Sequence, residues 1–339
     1  MNKFNILRDQ IIKSNQSCFI TGPGGSGKTE LIKQLQQEIT RMGKKYESVA
    51  PTNLAALLIG GITIHRFTSK FKKSSVIKSL DIDYIFVDEV SMMAEMFYKF
   101  LMMIKRVRPD IKIIISGDFQ QLPVVNDRIS SNTDYSNSPC LFELADYNKI
   151  QLTICRRSDD TLFKLLQFDN IKNLKSNHFT ETKEYNNNFH ICYTNETRKH
   201  INEIKMKELY NKKSRHGLFI PKKTYDDRSQ DMILNSGMPI IAKINKQNLE
   251  IFNNQRFTIK KIDKKNNIII INNEYGTKEI NIDDFSKYFI PGYSATTHSV
   301  QGLSISENYC IHEFYKMSIK MKYVALTRAK KLKQIHIKI

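Results

Sequence analysis

The chain has 339 residues, enough for two ordinary domains each with its own core, so a single small module is excluded. Lys and Arg number 53 against 34 Asp and Glu, a formal charge of +19 (53 − 34), which favours a polyanionic partner such as nucleic acid. Five cysteines without a CxxC pair suggest neither a zinc site nor disulfides, and with no signal-like or spanning apolar run the chain reads as intracellular, reduced, not secreted and free of the membrane.

In chain order, SCFIT at 17–21 reads as a strand, GPGGSGKTE at 22–30 as a glycine-rich loop, and Leu31, Leu35, Ile39 and Met42 as the apolar stripe of the following helix. Gly22, Gly27, Lys28 and Thr29 fit GxxxxGK[ST] between strand and helix, the setting that makes the motif specific for nucleoside triphosphates. Across Gly22, Pro23, Gly24, Gly25, Ser26 and Gly27 the backbone can surround phosphate oxygens. Lys28 supplies positive charge, Thr29 can hold magnesium, and Glu30 completes the binding stretch.

ESVAPT at 47–52, DYIFVDE at 83–89 and IKIIISGD at 111–118 read as further strands, and their alternation with helical patterns predicts an α/β fold with a parallel sheet covered on both faces. Ligands of such sheets sit at the carboxyl ends of the strands, which here end in TGPGG, PTN, DE and GD. Asp88 and Glu89 are thereby predicted on the same rim as the glycine loop. One carboxylate can bind the metal, so that Thr29 and Asp88 form the metal pair, while the other orients and deprotonates an attacking water. Hydrolysis, and not binding alone, is the expectation.

SSNTDYSNS at 130–138 reads as a loop near a domain boundary. Strands then resume at FHICYTN (189–195), YCIHEF (309–314) and QIHIKI (334–339), while MPIIAKI, RFTIKKI and NNIIIINN form a β-rich stretch with no long helical pattern. The expected domains are 1–140, a second α/β domain of 141–235 with 291–339, and a small β insert at 236–290.

With these blocks in order, the chain resembles the superfamily 1 helicases of the Pif and RecD type. The resemblance is carried by GPGGSGKT (22–29), APTNLAALLIGGITIHRF (50–67), VDEVSM (87–92), GDFQQLP (117–123), ICRRSDDTLF (154–163), YSATTHSVQGLSI (293–305) and YVALTRA (323–329). It implies two RecA-like domains with an SH3-like insert in the second, ATP and magnesium in the cleft between the domains, and single-stranded DNA running across both. Gln10 resembles the glutamine that reads adenine, Gln121 the sensor of the γ-phosphate with Asp118 beside it, and Arg156 and Arg328 the arginines that reach from the second domain to the transferred phosphoryl group. Gly302 is carried over to the nucleotide site with its block.

On the nucleic-acid track the resemblance places Thr52, Asn53 and His65 from the first domain and Thr297, His298 and Gln301 from the second. Phe67 and Phe119 are stacking candidates, though a core phenylalanine is the commoner role. The chain departs from the family pattern at Ser299 (often Lys), Arg157 (Gln), Val124 (Pro) and Asn254 (Gly). The stretch between Phe67 and Phe86 is short where relatives insert the wedge that splits a duplex.

The resulting expectation is an ATP- and magnesium-dependent motor moving 5′ to 3′ on single-stranded and forked DNA, for which a monomer would suffice. RNA stays open as a partner through the viral superfamily 1 RNA helicases. A translocase that does not unwind and an idle nucleic-acid binding protein also stay open.

Overall fold

The computed structural model describes residues 3–71, 73–123, 135–213 and 216–339, which fall into two units, Met1–Phe163 and Lys164–Ile339. The first unit opens with α1 (Lys3–Ser14), β1 (Cys18–Thr21), α2 (Lys28–Arg41), β2 (Tyr46–Ala50), α3 (Asn53–Leu58) and β3 (Ile62–Thr63). It continues with α4 (Ile64–Lys70), α5 (Ser74–Lys78), β4 (Tyr84–Val87), α6 (Glu95–Val107), β5 (Lys112–Gly117), α7 (Pro139–Leu144) and β6 (Lys149–Gln151). The six strands form one sheet in the order β3-β2-β4-β5-β1-β6, every pair parallel.

Both faces of this sheet are covered, which is why β4 reads as an unbroken apolar run and all its residues are buried. One core holds Phe67, Tyr98, Leu101 and Ile104 from α4 and α6, and the other holds Leu31, Leu35 and Ile39 from α2 with Ile59 beyond α3. The predicted stripe of α2 therefore packs as expected, except at its end. Met42 lies just past the helix as its C-cap and is exposed, because Gly43 turns the chain away at φ 69°.

The expected boundary at residue 140 is corrected by β6. Residues 149–151 pair with β1 in register Phe19↔Lys149, so the first sheet does not close until after α7, and the first unit runs to Phe163. Of the predicted loop at 130–138, residues 130–134 lie outside the described residues, as does Val124; Tyr135–Asn137 form a short 3-10 turn leading into α7.

Helix α8 (Asp160–Leu165) spans the boundary and α9 (Phe168–Ile171) follows. The second unit then contains β7 (Thr180–Thr182), β8 (Phe189–Cys192), α10 (Asn195–Lys212), β9 (Leu218–Ile220), β10 (Met232–Leu234), β11 (Pro239–Ala242), β12 (Arg256–Asp263), β13 (Ile268–Asn273) and β14 (Gly276–Asn281). It ends with α11 (Ile282–Tyr288), β15 (Phe289–Pro291), β16 (Ser294–Thr296), β17 (Tyr309–Ile311), α12 (Ile319–Leu326) and β18 (Ile335–Lys338). A second parallel sheet has the order β16-β8-β17-β18-β7. Strands β11 to β15 make a separate antiparallel sheet, β14-β13-β12-β11-β15, with its own core of Ile240, Phe257, Ile259, Ile269 and Phe289. β9 and β10 pair as a two-stranded ribbon.

Candidate functional site

Four loops of the first unit meet at the carboxyl ends of its strands. The first follows β1. Gly25 and Gly27 hold positive φ values of 84° and 94°, conformations that an L side chain rarely adopts, and Gly27 is the N-cap from which α2 starts. Lys28, on the first turn of α2, is buried and donates its ammonium to the carbonyls of Gly22 at 2.7 Å and Pro23 at 3.1 Å, so its charge lies within the loop. Ser26 is buried beside it, and its hydroxyl has no partner among the described residues. Glu30 is exposed and accepts from Gln34 Nε2 at 3.1 Å, which turns it along the helix surface and not into the loop.

The second loop follows β4. Thr29 Oγ1 donates to Asp88 Oδ2 at 2.8 Å, joining the phosphate loop to the strand-end carboxylate across 59 residues of sequence. Asp88 is buried, and its Oδ1 accepts from the Glu89 amide at 2.9 Å and from the Ser116 hydroxyl at the end of β5. Glu89 adopts a left-handed conformation, φ 53°, a strained placement for a non-glycine residue of the kind that clusters at functional sites. The third loop follows β5: Asp118 accepts from the Gln120 amide at 3.1 Å and from Gln121 Nε2 at 3.3 Å. Gln121 is buried, and its Oε1 has no partner among the described residues.

The fourth loop follows β6 and was not expected at this rim. The amides of Arg156 and Arg157 donate to Gly25 O at 2.9 and 3.2 Å, and a side-chain carbon on Gly25 would lie 2.7 Å from Arg157 Cβ. Arg156 therefore belongs to the first unit, a correction to its expected origin in the second, because β6 carries it onto the loop. Its guanidinium stacks over the Phe4 ring of α1, 3.9 Å from the centroid. A Cβ on Gly27 would meet both, at 3.2 Å from Phe4 Cζ and 3.3 Å from Arg156 Cδ.

Phe4 is thus the residue of α1 that reaches the loop. Gln10 is exposed and, six residues on, lies roughly 120° round the helix from Phe4. Phe4 carries no motif signal, and only its spacing from a buried face would have marked it.

Arg328 lies in the second unit and is buried there. Its Nε donates to Val324 O at 2.9 Å, Nη1 to Leu303 O at 2.7 Å and Nη2 to Thr327 Oγ1 at 2.8 Å. A buried guanidinium needs such acceptors. They tie α12 to the segment that contains Gly302, which itself has φ 83° and open space where a side chain would be.

Among the residues assigned to a nucleic-acid track, Thr52 caps α3 by accepting from the Ala55 amide at 3.2 Å, with Asn53 opening the helix. His65 is exposed on α4 and packs edge-on against Phe97 at 4.5 Å. Phe67 is fully buried in the core, and Phe119 is half-buried, packed against that core through Phe19 with centroids 5.9 Å apart. Thr297 is buried with its hydroxyl on Cys192 O at 3.3 Å, which removes it from the surface, whereas His298 is exposed and Gln301 half-buried beside it.

One pair was missed. Thr194 and Asn195 follow β8 as Thr52 and Asn53 follow β2, and Thr194 caps α10 by accepting from the Thr197 amide at 3.2 Å. The repeated TN dipeptide after a strand was the available signal.

The family model described as AAA domain matches residues 8–127. The ATP-dependent DNA helicase Pif1 of Bdellovibrio bacteriovorus is 27% identical over 175 residues, covering 45% of this chain and 39% of that protein. The ATP-dependent DNA helicase PIF3 of Trypanosoma brucei brucei is 31% identical over 127 residues, covering 32% of this chain and 15% of that protein. The chain thus spans well under half the length of these curated relatives. Among solved structures, Bacteroides Pif1 bound to single-stranded DNA superposes over 99% of this chain and 91% of its own, with a TM-score of 0.72 at 19% identity. Pif1 helicase from Candida albicans gives 0.70 at 18% identity over 99% of this chain and 94% of its own.

Proposed function

We propose that this chain is a helicase of the Pif1 type, which hydrolyses ATP to move along single-stranded DNA and to separate the duplex ahead of it; the similarity to Pif1 helicases in sequence and fold supports the reading. The observation that carries the reading is the Thr29–Asp88 hydrogen bond at 2.8 Å, beside Lys28 and Glu89 on one rim of the first sheet. A phosphate cradle without a strand-end carboxylate binds nucleotide; with one bonded to the loop threonine, it has the parts for hydrolysis.

The oxygen donors Thr29 Oγ1 and Asp88 Oδ2 fit a hard cation, and magnesium held there would neutralise charge on the phosphate oxygens. Lys28 leaves the loop carbonyls to meet the phosphates. Glu89 holds the attacking water and takes its proton, while Gln121, fixed by Asp118, orients the γ-phosphate. Arg156 lies against the N-terminus of α2 and adds positive charge from within the first unit. If Arg328 acts on the phosphoryl group, its bond to Leu303 O would couple hydrolysis to the 300–303 segment.

DNA is bound through its backbone by polar groups at strand and helix ends: Thr52 and Asn53 in the first unit, Thr194, Asn195, His298 and Gln301 in the second. Such contacts carry no sequence information. Movement is 5′ to 3′, by analogy with the family pattern.

Steady-state ATPase with and without single-stranded DNA tests the reading: the expected result is strong stimulation, and an unstimulated rate would overturn the motor. Forked duplexes with a 5′ or a 3′ overhang then report polarity and strand separation together. A matched RNA duplex reports the nucleic-acid preference.

A further inference from the structure

The second parallel sheet carries an anomaly on one face. Parallel strands covered on both sides are ordinarily aliphatic, yet one rung across this sheet reads Ser294, His190, Cys310, His336 and Thr180 on β16, β8, β17, β18 and β7. His312 stands two residues beyond Cys310 and so returns to the same face. Ser294 Oγ donates to Arg198 O of α10, which identifies this as the α10 side of the sheet.

His190 and Cys310 are fully buried and His312 nearly so, and the ligand atoms of the three lie within 4.8 Å of one another. His190 Nδ1 and His312 Nε2 are 2.9 Å apart, and the second ring nitrogen of His190 has no partner among the described residues. Tyr185 closes the cluster, stacked on His312 at 5.7 Å and 8°.

We propose that His190, Cys310 and His312 form a structural site for a thiophilic d10 cation, zinc(II) in the first instance, that fastens β8 to β17 in the second unit. Two imidazoles and one thiolate are a donor set that zinc favours, and tetrahedral coordination asks for donor separations of roughly 3.3–3.6 Å at zinc–ligand lengths of about 2.0–2.3 Å. The histidine nitrogens need open by only a few tenths of an ångström to meet it. The fourth position falls to a water; His336 stands on the same rung, but its Nδ1 is engaged with the Asn187 amide at 2.8 Å.

Uptake of the cation forms one metal–sulfur bond, breaks the Cys310 S–H bond and releases one proton to solvent. Lys338, whose ammonium lies 4.5 Å from the Tyr185 ring centroid, opposes the added charge.

The test is metal content of the purified full chain by mass spectrometry, followed by cobalt(II) substitution. The expected result is a stoichiometric metal and, with cobalt, a thiolate charge-transfer band with tetrahedral visible absorption. Cys310→Ser should abolish the charge-transfer band, and His312→Gln should weaken uptake by at least the roughly 10- to 100-fold cost of losing an outer-shell partner. Cys140→Ser, in the first unit, should leave both unchanged, and Lys338→Gln should tighten uptake. A folded wild-type chain that retains no metal and gives no thiolate band with cobalt overturns the proposal, whatever the behaviour of the variants.

Discussion

Neighbouring residues of the phosphate loop face different partners: Lys28 turns back to the carbonyls of Gly22 and Pro23, and Thr29 turns across to Asp88. Removing the loop lysine, or the carboxylate that follows Asp88, should therefore fail differently. Lys28→Ala is expected to lose nucleotide affinity and turnover together. Glu89→Gln is expected to keep affinity while turnover falls roughly 10²- to 10⁴-fold, the usual share of a general base. Fluorescent-nucleotide titration beside steady-state ATPase separates the two, and a Glu89→Gln enzyme as fast as wild type would remove the base from the scheme.

Arg328 has two roles to separate. Arg328→Ala removes a charged donor from the part-buried carbonyl of Leu303, at about 1–3 kcal/mol, which urea unfolding would read. Arg328→Lys keeps charge but not the fork of donors. If ATPase is lost in both while stability is lost only in the alanine variant, the arginine acts on phosphate; parallel losses would make it a structural tie. Lys28 and Glu89 were legible in the sequence because their motifs are local, whereas Arg328 was marked only by the resemblance of its YVALTRA block. Phe4 was not, since only the path of β6 and Arg156 makes it a neighbour of Gly27.

At the scale of elements, two helices begin on the same device. Thr52 and Thr194 each follow a parallel strand and cap the next helix. Thr52→Ala is expected to cost about 1 kcal/mol of stability as a lost cap. Thr194→Ala should cost more, because the Glu313 carboxylate also loses the hydroxyl that donates to it at 3.1 Å. If the same residues grip DNA, each change also weakens single-strand binding, and Thr→Ser restores both stability and affinity.

The turn after α7 is a second element-level device. Asp146 accepts from the Ser17 amide at 2.8 Å and pairs with Lys105, joining α7 and α6 to the start of β1. Burial pulls its carboxyl up, but Lys105 and Ser17 outweigh it and hold the folded value below the ordinary aspartate range. A depressed carboxyl stabilises above its unfolded value and loses that contribution as pH falls through the folded one. Acid titration of stability should therefore be flatter in Asp146→Asn than in wild type.

Strands of four or more apolar residues were readable at this scale, whereas β3 and β6, with two and three residues, were not. The histidine and cysteine rung was invisible for another reason: strand register joins residues 190, 310 and 336, which no sequence spacing relates.

For the whole molecule, the excess of 19 positive charges predicts DNA affinity dominated by phosphate contacts. Log affinity should fall linearly with log salt, with a slope of about −0.7 per phosphate neutralised on a single strand. Fluorescence anisotropy across salt concentrations checks this, and a flat response would argue for stacking or another partner. The parallel sheets and the antiparallel insert were legible as classes; the limit of the first unit was not, because its last strand is too short to announce itself.

That last strand has a mechanical consequence. After β6 the polypeptide is clipped to Gly25 by the amides of Arg156 and Arg157, and only a few residues later it crosses into the second unit. The covalent bridge between the units is therefore anchored on the part of the protein that would feel the loss of a phosphate. At φ 84° and with its methyl 2.7 Å from Arg157 Cβ, Gly25→Ala should disturb cradle and tether together, so that nucleotide affinity and the yield of movement per ATP fall in the same variant.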